Sequence, residues 1–300
     1  MSVIVLGSMN VDLTTKVIAA PKDGETISAL SFKKNFGGKG ANQAIAIKRL
    51  NGNVTLSGAL GNDEFGNYFH NVLVDEKIDD KYIKRVPTST GLAFVTIDKD
   101  AENRIIIVHG ANYEYGKDDV LYLKDLIKDS SICLTQLEMQ MDVIEKFADL
   151  AYQYKKVFIL NPAPAAELSD KLLKHVSILT PNETELALIS KKNTNTIEEK
   201  ISAAKALISK GVENVIVTLG KDGCLIVNKD LCKVIPSKKI KPVDTTAAGD
   251  AFNGALAYCL DTNYSLEEAC EFANCAGALT CLKNGASSSL PTLNDVKKIL

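Results

Sequence analysis

The chain has 300 residues, 46% hydrophobic and 24% charged, with 35 basic against 37 acidic side chains and a formal charge of −2. Ample apolar content without a low-complexity tract excludes a disordered chain and suits one sizeable globular domain or two small ones. The near-neutral balance, with arginine confined to Arg49, Arg85 and Arg104, argues against a nucleic-acid surface and against an arginine-built phosphate site.

Strands are predicted at 3–6, 54–58, 132–136, 157–160, 178–180, 215–218 and 224–227, as short runs rich in Val and Ile. Helical periodicity fills the gaps at 39–50, 63–76, 118–127, 142–155, 184–190, 198–210, 249–260 and 265–282. Alternating β and α elements with wholly apolar strands predict an α/β fold with a mostly parallel sheet covered on both faces. Sites in such folds lie beyond the carboxyl ends of the strands. Segments 11–36 and 88–108 break the rhythm: they read as extended, without helices, and are expected to form a small second sheet. No Pro-, Gly- or Ser-rich linker separates independent units, so a single domain of 1–300 carrying a lid is expected.

No apolar run reaches the roughly 18 residues of a membrane span. The opening Ser2-Val3-Ile4-Val5-Leu6 is too short, and too little preceded by charge, for a signal peptide. The seven cysteines lack a CxxC pair and sit mostly among apolar neighbours. They read as buried thiols in a reducing cytoplasm. His70, His109 and His175 have no metal-ligand spacing, so zinc chemistry is not expected.

There is no GxxxxGK[ST], and no GxGxxG follows the first strand. The glycines cluster instead in Asn35-Phe36-Gly37-Gly38-Lys39-Gly40-Ala41-Asn42-Gln43-Ala44, which runs from an extended piece into a helix. On spacing alone this is either an ordinary turn or a backbone shaped to approach a ligand. A second cluster is Val243-Asp244-Thr245-Thr246-Ala247-Ala248-Gly249-Asp250-Ala251-Phe252-Asn253-Gly254. Its small residues expose consecutive amides at a helix start, an arrangement that favours an anion. Asp250 in that first turn is either a dipole-complementing residue or, beside an anion site, a general base.

Together these stretches resemble the two signatures of the PfkB, or ribokinase-like, carbohydrate kinase family. Gly7-Ser8-Met9-Asn10-Val11-Asp12 resembles its sugar-binding first loop, Asn182-Glu183-Thr184-Glu185 its Asn-x-x-Glu motif, and Thr218-Leu219-Gly220-Lys221-Asp222-Gly223 its nucleotide loop. Phe36 to Ala44, Gln136-Leu137-Glu138 and Asn161-Pro162-Ala163-Pro164-Ala165 are similar to its ribose-phosphorylating members. The resemblance implies a three-layer α/β/α body with a β-sheet lid, often paired into homodimers through the lids.

It also implies transfer of the γ-phosphoryl of ATP to the 5-hydroxyl of D-ribose. The alternatives are a kinase for deoxyribose, fructose or a nucleoside, or a non-catalytic sugar or nucleotide sensor. The sugar is expected at Asn10, Val11, Asp12, Gly38, Lys39, Gly40, Ala41, Asn42, Glu138 and Asp250, the last as general base. Ala247, Ala248 and Gly249 are expected to form the anion hole. ATP is expected at Asn182, Glu185, Thr218 to Gly223, Gly249, Asp250 and Asn274, with Mg²⁺ held indirectly by Asn182 and Glu185. An activating K⁺ is expected at Asp244, Thr246, Thr280, Lys283, Gly285 and Ser289, largely through backbone carbonyls. Neither nucleic acid nor membrane is expected as a partner.

Overall fold

The computed structural model describes residues 2–100 and 102–300. Its strands, in chain order, are β1 (Val3–Leu6), β2 (Asn10–Lys16), β3 (Ser31–Gly37), β4 (Val54–Gly61), β5 (Ile83–Val86), β6 (Gly91–Ile97) and β7 (Asn103–Val108). They continue with β8 (Ile132–Thr135), β9 (Val157–Leu160), β10 (Ile178–Leu179), β11 (Asn214–Thr218), β12 (Cys224–Val227) and β13 (Cys232–Ile235). The body is a nine-stranded sheet in the order β13-β12-β11-β10-β9-β8-β1-β4-β5. Neighbours from β5 across to β11 run parallel, whereas β12 and β13 turn back antiparallel through tight connections.

Side chains along the central strands alternate between two apolar cores. Val3 and Val5 of β1 enter one and Ile4 and Leu6 the other; Ile216 of β11 opposes Val215 and Val217 in the same way. Strands with both faces apolar need helices on both sides. The helices α1 (Lys39–Arg49) and α2 (Glu64–Asp75) cover the first core with α9 (Ala248–Asp261), α10 (Leu266–Thr280) and α11 (Leu293–Lys297). The second core lies under α3 (Lys117–Leu121), α4 (Lys124–Asp129), α5 (Met141–Gln153), α6 (Asp170–Leu173), α7 (Glu183–Ser190) and α8 (Ile197–Ser209). The result is three layers, α/β/α.

A separate four-stranded sheet, β3-β2-β6-β7, is built from the two extended segments. It is mixed: β2 pairs β6 in parallel, and the outer pairs are antiparallel. β2 follows β1 after only Gly7, Ser8 and Met9, so the small sheet grows directly from the carboxyl end of a central body strand. Its edge strand β7 is exposed along its whole length, including Ile105, Ile106 and Ile107. Sequence periodicity does not reveal β5 and β13, and it merges α3 with α4. β5 (Ile-Lys-Arg-Val) and β13 (Cys-Lys-Val-Ile) are sheet-edge strands with charged residues inside them, so they lack the apolar run of a strand buried on both faces. Among the described residues, no helix is long and apolar enough to cross a membrane.

Candidate active site

The Gly-rich segment ends β3 and opens α1 through Gly38, whose φ of 87° lies in the left-handed region. A methyl group on Gly38 would sit 2.7 Å from the Asn10 nitrogen and the Ser8 carbonyl oxygen. Gly40 lies as closely on β1's exit: its methyl would be 2.5 Å from the Gly7 carbonyl carbon. These two glycines press the start of α1 against the carboxyl end of β1, and Lys39 and Asn42 emerge there.

Five acidic or amide side chains converge on this mouth: Asn10 and Asp12 from β2, Asn42 from α1, Glu138 from beyond β8 and Asp250 from α9. Glu138, just beyond β8, accepts through Oε2 from the Ser8 hydroxyl and from the Lys39 backbone N–H at 3.0 Å. Asp250, in the first turn of α9, accepts from Asn42 Nδ2 at 2.9 Å through Oδ2 and from Gln43 Nε2 at 3.1 Å through Oδ1. The other amide atom of Asn42, Oδ1, is buried and has no partner. Asn10 is held by Asn112, whose Nδ2 donates to Asn10 Oδ1 at 2.7 Å while its Oδ1 accepts from Met9 N–H at 2.9 Å. Asp12, on β2, folds over Gly37 of the adjacent β3. Val11 and Ala41 direct their side chains into the apolar core, so only their backbones face this region.

Burial, reinforced by the charges of Glu138 and Asp250 and partly offset by Lys39, pushes the Asp12 carboxyl up to about 7. Burial also pushes Asp250 up, against the opposing pull of Lys39 and of the Asn42 and Gln43 donors. For Lys39, burial works against the ammonium, yet Asp250, Glu138, Glu185 and Asp12 outweigh it and hold the group above the ordinary lysine value. One cation thus sits among several carboxylates in a poorly solvated site.

Ala247 precedes α9 with φ 60° and ψ 9°, a left-handed conformation unusual for a residue with a side chain. It aims the first amides of α9 outward. The Ala248 N–H bonds back to the Thr245 carbonyl at 3.2 Å. The amides of Gly249 and Asp250 come next, ahead of the regular helical ladder, which opens with Ala251 N–H to the Ala247 carbonyl at 2.8 Å.

Beyond that turn lies a cleft of about 540 Å³ lined by Thr218, Gly220, Lys221, Asp222, Gly223, Ala248, Gly249 and Asn274. Sequence reasoning did not find its remaining walls: Ser237 to Ile240, Pro242, Thr245, Phe252, Gly277, Ala278 and Cys281. The Asn274 amide donates to the carbonyls of Ile235 and Pro236, which anchors the 235–242 segment to α10. Leu219 packs partly buried against the second core instead of lining the cleft.

Asn182 and Glu185 cap α7 reciprocally: Asn182 Oδ1 accepts from Glu185 N–H and Glu185 Oε2 from Asn182 N–H, both at 2.8 Å. Asn182 also bridges to Thr218, beside the cleft. Burial raises the Glu185 carboxyl, while that N–H and the Lys39 charge lower it. Among the described residues, no cluster of three or more His, Cys, Asp or Glu side chains could hold a metal ion. Asn182 and Glu185 offer one amide and one carboxylate beside the cleft, a donor set that suits a divalent ion keeping most of its waters.

Asp244 ties two loops together. Its Oδ1 accepts from Thr246 N–H and hydroxyl, at 2.9 and 2.6 Å, and its Oδ2 from Gly285 N–H at 2.9 Å. These bonds hold the Asp244 carboxyl below the usual range against the effect of burial. Ser289 donates to the Gly285 or Ala286 carbonyl at 2.7 Å, and the Thr280 hydroxyl to Ala276. Segments 244–246 and 280–289 are thereby brought side by side next to the Ala247 turn.

Ser8, Gln43, Gln136 and Asn161 lie inside the stretches that carry the resemblance but have no individual role predicted for them, and Asn112 lies in none of them. Gln136 and Asn161 each follow a buried apolar strand directly, and that abrupt polarity change is the available signal.

Residues 1–293 match the family model described as pfkB family carbohydrate kinase. A ribokinase from Haemophilus influenzae is 36% identical over 99% of this chain and 97% of its own length. A deoxyribokinase from Salmonella typhi is 33% identical over 100% and 99%. A structure described as Arabidopsis thaliana ribokinase complexed with ribose and ATP superposes with a TM-score of 0.93 at 31% identity, covering 99% of this chain and 98% of that one. With a full-length match, the Gly-rich entry to α1 and the amide turn ahead of Asp250 all present, the chain belongs to the pfkB family of carbohydrate kinases.

Proposed function

We propose that this protein transfers the γ-phosphoryl group of ATP to the 5-hydroxyl of D-ribose. The observation that carries this reading is the buried, unpartnered Asn42 Oδ1 beside the Asp250 carboxylate. With Asp12 and Glu138 it makes a wall of acceptors, suited to the many O–H donors of a neutral polyol and hostile to an anion. A buried acceptor left unpaired costs about 1–3 kcal/mol, so a sugar hydroxyl at Asn42 contributes both affinity and selectivity.

In this reading Asp250 takes the proton of the attacking hydroxyl, and burial raises its basicity toward that task. Because the Ala248 amide is engaged with Thr245, the amides of Ala247 and Gly249 are assigned to the transferring phosphoryl group. The cleft lined by Thr218 to Gly223 and Asn274 receives the nucleotide. A divalent ion accompanies ATP, and bound Mg²⁺ would supply charge neutralisation of the phosphates, its waters met by Asn182 and Glu185. We further assign K⁺ to the paired loops at Asp244, Thr246, Thr280, Lys283, Gly285 and Ser289. Exposed Ile105, Ile106 and Ile107 on the edge strand β7 support a homodimer formed lid to lid. Seven free thiols suit a reducing cytoplasm.

ADP release measured with ribose, 2-deoxyribose, fructose and a nucleoside tests the assignment. The highest kcat/KM is expected with ribose. A preference for deoxyribose would move the chain to the second sugar, and no ADP with any of the four would leave a binding protein.

A further inference from the structure

Beneath the site runs a chain of buried amides to which the reaction, as described, gives no part. Gln43, with 0% of its surface exposed, has every polar hydrogen committed: Nε2 donates to Asp250 Oδ1 and to Asn161 Oδ1, each at 3.1 Å. Its Oε1 accepts from Gln136 Nε2 at 2.6 Å, which fixes which end of the amide faces Asp250. Asn161 is anchored in turn, donating to the Thr180 carbonyl at 3.3 Å. The partners of Gln43 thus stand at the ends of two adjacent body strands, β8 and β9, and on α9, while Gln43 itself stands on α1.

We propose that Gln43 is a positioning residue: its amide, locked by Gln136 and Asn161, fixes the direction of the Asp250 carboxylate for proton acceptance. This rests on the reading of Asp250 as the base. Asp250 has about four lone-pair positions. Gln43 and Asn42 occupy one on each oxygen and so determine where the remaining ones point. Without the Gln43 donor, the carboxylate is free to rotate about its last bond, and its charged form loses a stabilising partner. The groups that then face it are Lys39 and Asn42 from α1 and Glu138 from beyond β8, with Asp12 of the lid farther out. Loss of a donor to a buried carboxylate disfavours ionisation, so the pH at which the base becomes competent rises.

The test uses the full-length enzyme with Gln43→Met, Gln136→Met and Asp250→Asn, assayed for kcat and kcat/KM against pH. Methionine matches glutamine in length and removes only the amide. Gln43→Met is expected to lower kcat roughly ten- to a hundredfold, as befits a hydrogen bond to a charged group. It should also move the acid limb of kcat/KM to higher pH, with the KM for ATP unchanged. Gln136→Met guards against misfolding of the first variant. The Oε1 of Gln136 is itself buried without a partner, so an apolar replacement removes one unpaired acceptor while it takes the donor from Gln43 Oε1. It should give a smaller shift in the same direction, with a Tm closer to wild type than that of Gln43→Met. A folded Gln43→Met enzyme with an unmoved acid limb, whatever its kcat, overturns the positioning role and leaves Gln43 as packing. If Asp250→Asn retains wild-type turnover, the base assignment fails instead, and the two failures are read apart.

Discussion

Asp250 and Asp12 bring similar chemistry to one site, the first from the body and the second from the lid. Asp250→Asn preserves shape and, with its oxygen toward Gln43, that one contact; its NH₂ then faces Asn42, whose amide must turn over to accept, and the side chain cannot accept a proton. It should lower kcat by at least ~10² while equilibrium dialysis finds ribose and ATP still bound. A variant retaining a tenth of wild-type kcat would remove the base role. Asp12 makes a prediction about stability. Its carboxyl titrates near 7 when folded and from 3.8 when free. Between those values the unfolded chain has lost the proton and the folded chain still holds it, so rising pH erodes stability across the window until the loss is complete above about 7. Asp250 and Glu185, also raised, add slopes of the same sign, so the informative quantity is the difference from wild type. Asp12→Asn should flatten the decline between pH 4 and 7 in urea unfolding and gain on wild type at pH 8. Parallel curves would show that Asp12 ionises normally.

At the scale of elements, the turn into α9 stands on one improbable residue. A left-handed Ala247 costs roughly 1–2 kcal/mol against an ordinary backbone, and a β-branched side chain tolerates that region far less. Ala247→Val should lower both Tm and kcat, the latter at least about tenfold, if the turn aims amides at the transferring phosphoryl group as proposed, since single donors of such a site are worth about 10²–10³ in rate. Unchanged kcat would mean that the turn is scaffold only. The apolar strands were legible in the sequence because burial on both faces makes each a continuous apolar run. The extended lid segments were legible by contrast, lacking helical spacing. The amide floor was not, since Gln43, Gln136 and Asn161 lie far apart in sequence and only topology brings them together. The same holds for the Ser237 to Pro242 wall of the cleft, a segment outside any strand or helix. The commitment of the Ala248 amide to Thr245 is likewise a matter of turn geometry that residue type alone does not encode.

For the whole molecule, two assembly features await measurement. With K⁺ in the loops tied by Asp244, activity at constant ionic strength should be highest in K⁺ and lower in Na⁺, which holds its water more tightly. Equal rates in K⁺, Cs⁺, Na⁺ and a tetraalkylammonium salt would dispose of the site. If lids pair through β7, Ile106→Glu, at a position 69% exposed, should shift the sedimentation coefficient from dimer to monomer. A wild-type monomer would end that proposal. The division of carboxylates between lid and body has one more consequence. Asp12 arrives on a strand of the small sheet, whereas Glu138 and Asp250 belong to the body, so the two sheets together set three carboxylates about the single Lys39 ammonium. A neutral sugar meets no charge repulsion there, but phosphorylation would turn it into a dianion. Like charges at close range in a poorly solvated site repel strongly, so the carboxylates that admit the substrate would weaken the hold on its phosphate.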